Sequence, residues 1–126
     1  MSADDPAGAG WDVQVAGHLC VDLVPGLLDA APVTPGSLTE VGPLELRLGG
    51  CVANTGSDLA ALGLRTLLVT SLGDDALAGT VAALVDAIPG ADARAEIVPD
   101  ATPSYSIVVH PPRTDRAFWH HLGAKA

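Results

Sequence analysis

Residues 49 to 63 read Gly-Gly-Cys-Val-Ala-Asn-Thr-Gly-Ser-Asp-Leu-Ala-Ala-Leu-Gly, and Gly73-Asp74-Asp75 follows ten residues later. A glycine pair lets backbone approach a ligand with no Cβ in the way. The small and apolar residues after it can wind into a helix whose N-terminus faces that ligand. Asn54 falls where the first turn of this helix begins. Its amide offers two donors and a carbonyl acceptor, a set that matches neighbouring hydroxyl groups and therefore a polyol such as a sugar. Plainer readings stand beside these: Gly49-Gly50 as a tight loop before a helix, and Asn54 as a helix cap. Cys51, inside the same run, reads as a small buried hydrophobe rather than a reactive thiol. Asp74 and Asp75 suit the start of the next helix better than a Mg²⁺ pair. His120 and His121 are adjacent on an extended segment, point to opposite faces and cannot readily share one ion, so no metal site is expected.

The elements that must hold these residues follow from the apolar pattern. Trp11 to Gly17 alternates into Val13, Val15 and Ala16 and predicts a buried first strand. Val21 to Leu28 is a second apolar stretch, with Pro25-Gly26 calling for an edge position or a bend. Residues 29 to 39 form a Pro-rich loop with Pro35-Gly36 as its turn. Leu44, Leu46 and Leu48 alternate with Glu45 and Arg47, the pattern of a strand with one wet face. A helix from about Val52 to Leu62 stops at Gly63, and Leu64 to Leu72 is a further buried strand. Strand, helix and strand in this order predict a βαβ unit, a parallel sheet and an α/β class. Asp75 can then cap a helix that carries Leu77, Val81, Leu84, Val85 and Ile88 on one side, with Pro89-Gly90 as its stop. Ala93 to Val98 reads as a third core strand. Ser104 to His110 and Arg116 to His121 read as a hairpin around residues 111 to 115.

Composition narrows the function. The chain has 126 residues, one domain's worth, with 48% apolar residues but only four aromatic ones, so its core must be built from Ala, Val and Leu. The formal net charge is −9, and no basic cluster is present to neutralise a phosphate backbone, which argues against nucleic acid as a partner. The apolar runs fall well short of the ~20 residues a bilayer span requires, so no membrane segment is expected. Residues 1 to 10 are small and acidic, lack the basic and apolar regions of a secretory signal, and read as a disordered leader. Cys20 and Cys51 are too few for a disulfide framework. A reduced, cytoplasmic protein is the expectation.

Taken in order, Gly17-His18-Leu19-Cys20-Val21-Asp22, Gly49-Gly50-Cys51-Val52-Ala53-Asn54, Leu62-Gly63, Leu72-Gly73-Asp74-Asp75 and Gly123-Ala124 resemble the N-terminal part of the ribokinase-like, or PfkB, carbohydrate kinases over residues 12 to 126. The resemblance implies an α/β fold: a mostly parallel sheet with flanking helices on both faces and a small β-sheet lid over the sugar. Residues 21 to 28, 42 to 48, 104 to 110 and 116 to 121 would supply the lid. It also implies that Asp22 accepts hydrogen bonds from substrate hydroxyls, a role that suits an acceptor-only carboxylate, although a solvated strand-end carboxylate is the plainer alternative. Gly49 and Gly50 would allow close backbone approach, and Asn54 would contact the sugar. Gly73 would turn the chain and the aspartates favour the next helix.

Where the family commonly reads Gly-Ala-Asn-Ala, these residues read Gly123-Ala124-Lys125-Ala126. The family's Gly-Ala-Gly-Asp motif, which carries its catalytic base, does not occur among them, and no Gly-x-x-x-x-Gly-Lys loop substitutes for it. The expectation is therefore the substrate-binding and lid portion of an ATP-dependent sugar or nucleoside kinase, residues 11 to 126, without a catalytic residue of its own and inactive alone. ATP and Mg²⁺ are implied only for the complete family enzyme. The alternative is a non-catalytic binding module or a homodimer formed through lid strands. A dinucleotide-binding domain fits poorly, because no Gly-x-Gly-x-x-Gly follows the first strand.

Overall fold

A computed structural model describes residues 10–28 and 34–125, so most of the leader and residues 29 to 33 of the Pro-rich loop lie outside the described residues. Two sheets form. The first contains β1 (Val13–Ala16), β4 (Thr66–Gly73) and β5 (Ala91–Val98) in the order β1-β4-β5, parallel throughout. The second contains β2 (Cys20–Gly26), β3 (Gly42–Gly49), β6 (Tyr105–Val109) and β7 (Ala117–His121) in the order β3-β2-β6-β7. Helix α1 (Gly50–Ala61) leads from β3 into β4, and α2 (Ala76–Asp86) from β4 into β5.

The core is built as the composition requires. Leu19, Val21, Val52, Ala53, Leu68, Leu72, Val81, Val85 and Ala93 form one buried cluster, all of them Leu, Val or Ala. Each fully buried Leu or Val contributes roughly 1.5–3 kcal/mol relative to exposure. Both helices enter this cluster, α1 through Val52 and Ala53 and α2 through Val81 and Val85, against Leu68, Leu72 and Ala93 of the sheet. Among the described residues the helices therefore cover one face of the parallel sheet, not two. The other face carries Ala16, Val69, Ser71, Arg94 and Glu96, which line an open cavity of about 600 Å³ together with Ala124. A 3-10 turn at Gly123–Lys125 lies against β4, with Ser71 Oγ donating to Ala124 O at 3.3 Å.

The helix ends follow their sequence signals. Asp75 accepts from Leu77 N at 2.8 Å and caps α2. Gly63 follows α1 at φ +89°, the left-handed conformation that suits glycine. Asp12 grips Arg65 through side chain and backbone and ties the start of β1 to that of β4. The Arg65 guanidinium holds the Asp12 carboxyl down at about 2.

Four expectations need correction. The strand before α1 does not pair with the strand after it: β3 belongs to the second sheet, and the parallel partners of β4 are β1 and β5. β3 is exposed on both faces over Pro43 to Arg47, and on the leucine side Leu44 only borders an open cavity with Leu23, Pro25 and Leu77. β2 is an interior strand, which corrects the edge alternative for Pro25-Gly26, while the bend alternative holds. Its pairing with β6 covers only Val21 to Leu23, so the strand is an edge locally where proline sits, and the register with β3 shifts between Pro25 and Gly26. Gly73 is needed for close approach rather than for turning, since a Cβ there would strike the carbonyl of Ala101.

Candidate functional site

The site forms where the second sheet passes over the N-terminus of α1. The alternation of a strand puts Asp22 on the face of β2 that looks toward α1, and the register sets it beside Arg47 of β3 and Ser106 of β6. Ser106 in turn lies opposite His120 of β7. A row of polar side chains, Arg47, Asp22, Ser106 and His120, thus crosses all four strands on one face. Beneath it lies a cavity of about 390 Å³ lined by His18, Cys20, Asp22, Gly50, Asn54, Ser106, Arg116, Phe118 and His120.

The four residues singled out by sequence are brought together. Gly49 ends β3 and lies under the Asp22 carboxylate, where a Cβ would come within 2.5 Å of Oδ2. Only glycine leaves the carboxylate its place. Gly50 opens α1 at φ +86°, and a Cβ on it would sit 2.5 Å from the His18 carbonyl oxygen. That carbonyl accepts from Val52 N at 3.0 Å and so satisfies one of the free N–H groups of the helix's first turn. Asn54 lies one turn along α1, exposed on the cavity wall. It is not the helix cap, since that position belongs to Gly49. Asp22 is half-buried and its Oδ1 accepts only the long thiol contact from Cys20, at 3.5 Å, among the hydrogen bonds of the described residues. Acceptor positions remain open toward the cavity.

Three further side chains of the wall come from β7 and the residue just before it. Arg116 lies over the Phe118 ring at 5.5 Å, and the His120 ring meets His18 edge-on at 5.4 Å. His120 Nδ1 is 3.0 Å from Ser106 Oγ. His120 is therefore part of the site and not a plain surface residue, whereas His121 points away and packs on Tyr105 at 5.3 Å. The spacing of residues 116, 118 and 120 carried the signal for one shared face, but which face required the strand order. Cys51 is exposed rather than buried, its thiol directed at the His18 carbonyl at 3.6 Å. Asp75 is occupied as a cap, and among the described residues no three His, Cys, Asp or Glu side chains converge as a metal cage. Arg47 is held in its charged form chiefly by Glu45, at 2.6 Å, with Asp22 adding to the effect.

The arrangement is a floor of glycine backbone, a carboxylate with open lone pairs and an amide, roofed by a four-stranded sheet. The ribokinase of Arabidopsis thaliana, solved with ribose and ATP, superimposes on 90% of this chain with a TM-score of 0.74 at 22% identity. The fold is ribokinase-like. An acarbose kinase from a microbiome superimposes with a TM-score of 0.73 at 20% identity over 88% of the chain. A nucleoside kinase of Burkholderia thailandensis, solved with inosine, does so with a TM-score of 0.66 at 18% identity over 89%. This chain spans about a third of the length of these structures, 36% of the first two and 37% of the third. No protein-family profile matches it, and no curated protein does. Among the described residues no helix is long and apolar enough to cross a membrane.

Proposed function

We propose that residues 11 to 126 are the sugar-binding and lid portion of an ATP-dependent carbohydrate kinase, acting on a hydroxyl of a sugar or nucleoside. The observation that carries this reading is the Asp22 carboxylate seated over Gly49 and facing Gly50 and Asn54 across the cavity under the lid. Asp22 accepts two substrate hydroxyl protons, Asn54 donates to and accepts from neighbouring hydroxyls, and the α1 backbone approaches closely because Gly50 has no Cβ. These groups bind and orient. ATP and Mg²⁺ would be held, and the attacking hydroxyl deprotonated, by residues other than those gathered here, since phosphoryl transfer needs a base, amides and cations that the site does not bring together.

Titration of ¹⁵N-labelled protein with ribose tests the reading. Saturable shifts are expected at residues 18–22, 49–54 and 104–121, and shifts scattered elsewhere or none at all would refute it. With ATP, Mg²⁺ and ribose present, these 126 residues alone are expected to release no ADP above background. Robust sugar-dependent turnover would overturn the assignment of catalysis to other residues.

One observation favours a second reading, a module that pairs through its lid. The lid face turned from the cavity bears Leu44, 55% exposed, and Trp119, 53% exposed. Dimerisation that rises with concentration and ignores sugar would support it.

A further inference from the structure

Two serines at the start of β6 decide which nitrogen of the His120 ring carries hydrogen. Ser104 is 1% exposed and donates its one hydroxyl proton to the His121 carbonyl at 3.0 Å. Its oxygen also lies 3.5 Å from His120 Nε2 and, with that proton committed, can only accept there. Nε2 is therefore the nitrogen that carries hydrogen, and in the neutral ring Nδ1 is left as an acceptor. Ser106 Oγ, 3.0 Å from Nδ1, must then give its proton to the ring. What Ser106 turns to the cavity is lone pairs alone. Asp22, its register partner on β2, presents lone pairs as well. The relay thus keeps two neighbouring acceptors aimed at the ligand, the set that a pair of donating hydroxyls needs.

We infer that His120 is a positioning residue: its neutral ring holds Ser106 as an acceptor, and its protonation turns Ser106 into a donor that occupies Asp22 and closes the sugar site. This rests on the sugar-site reading. When Nδ1 takes up a proton both ring nitrogens donate, and Ser106 Oγ must accept from Nδ1. Its own proton swings free. The neighbouring acceptor in the row is the Asp22 carboxylate, bonded among the described residues only by the Cys20 thiol. A charge-assisted bond from Ser106 then competes with the ligand for the same lone pairs. The ring is exposed on β7, so solvent protons reach it. The ionisable groups that share the cavity with it are His18 ahead of β2, Cys20 and Asp22 on β2, and Arg116 ahead of β7, while Gly50 and Asn54 of α1 carry no charge. Arg47 of β3 stands beyond Asp22 in the row and pairs with Glu45. His18, edge-on to His120 at 5.4 Å, is the other imidazole of this set and needs a control of its own.

Calorimetric titrations of the intact chain with ribose, from about pH 8 to about pH 5.5, span imidazole titration and stay above that of carboxylates. The wild-type chain is expected to lose about five- to tenfold in affinity across this window, the size of one competing hydrogen bond. His120→Asn, whose amide oxygen stands in for Nδ1 and never ionises, and Ser106→Ala should each flatten the profile to within about twofold. His18→Asn should leave the slope in place. A flat wild-type profile, or a slope kept in His120→Asn and lost in His18→Asn, would overturn the inference and leave the sugar site standing. In the wild-type protein, with no ligand and no substitution, ¹⁵N shifts of the His120 ring at about pH 8 should place the hydrogen on Nε2. Hydrogen on Nδ1 would overturn the inference as well. Failure of ribose to bind at any pH in the window would overturn the sugar site and this inference together.

Discussion

At the scale of single residues, the site depends on what is absent at Gly49 as much as on what is present at Asp22. A Cβ at Gly49 would fall 2.5 Å from Asp22 Oδ2, so Gly49→Ala must displace the carboxylate. Ribose affinity is expected to fall at least about tenfold, consistent with losing a charge-assisted hydrogen bond of roughly 1.5–3 kcal/mol, while the circular dichroism spectrum stays unchanged. The Asp12–Arg65 pair gives a separate test at low pH. With the Asp12 carboxyl held at about 2 against an ordinary value of 3.8, the pair stabilises the fold fully above the higher value and loses its effect as pH falls toward the lower one. Asp12→Asn should therefore lower the urea midpoint at pH 6 and make no difference at pH 2. The inner site was legible because Gly49, Gly50 and Asn54 are close in sequence and Asp22 stands in a recognisable run. Arg116, Phe118 and His120 were not, because their meeting with Asp22 is made by the order of strands, which local pattern does not encode.

At the scale of elements, α1 shows local propensity giving way to packing. Gly56 sits mid-helix, where it costs roughly 1 kcal/mol relative to Ala. A Cβ there would strike Leu68 Cδ2 in the core, so the glycine lets α1 lie close on β4. Gly56→Ala is expected to destabilise by about 1 kcal/mol net, because overpacking at a fully buried Leu outweighs the gain in propensity; a rise in urea midpoint would contradict this. The helices and strands β1, β4 and β5 could be read from periodicity, since the spacing of Val81 and Val85 and the Leu67–Leu68 run are burial signals in themselves. β3 misled, since its alternating leucines imply a buried face, yet Leu44 is 55% and Leu46 38% exposed. Alternation reports which residues can share a face, and the partner for that face must come from elsewhere.

At the scale of the whole molecule, one apolar face and one mixed sheet face are left uncovered among the described residues. One is the lid face around Leu44 and Trp119, with an open cavity of about 490 Å³ lined by Leu23, Pro25, Leu44, Leu77, Tyr105 and Ile107. The other is the uncovered side of the three-stranded sheet, whose outer strands β1 and β5 also leave backbone edges open among the described residues. Exposed surface of this kind favours association. The isolated chain is expected to self-associate with rising concentration in size-exclusion chromatography with light scattering, and Leu44→Glu with Trp119→Glu should reduce this without weakening ribose binding. A strictly monomeric, cooperatively unfolding chain would count against that expectation.

The central claim is that Asp22 over the glycine pair makes a sugar site. It is tested most directly by calorimetric titration of ribose into the wild-type chain and into Asp22→Asn. Saturable one-to-one binding to the wild type, weakened about ten- to a hundredfold in the variant with its melting temperature unchanged, is the expected result. Equal binding to both proteins, or none to the wild type, would contradict it.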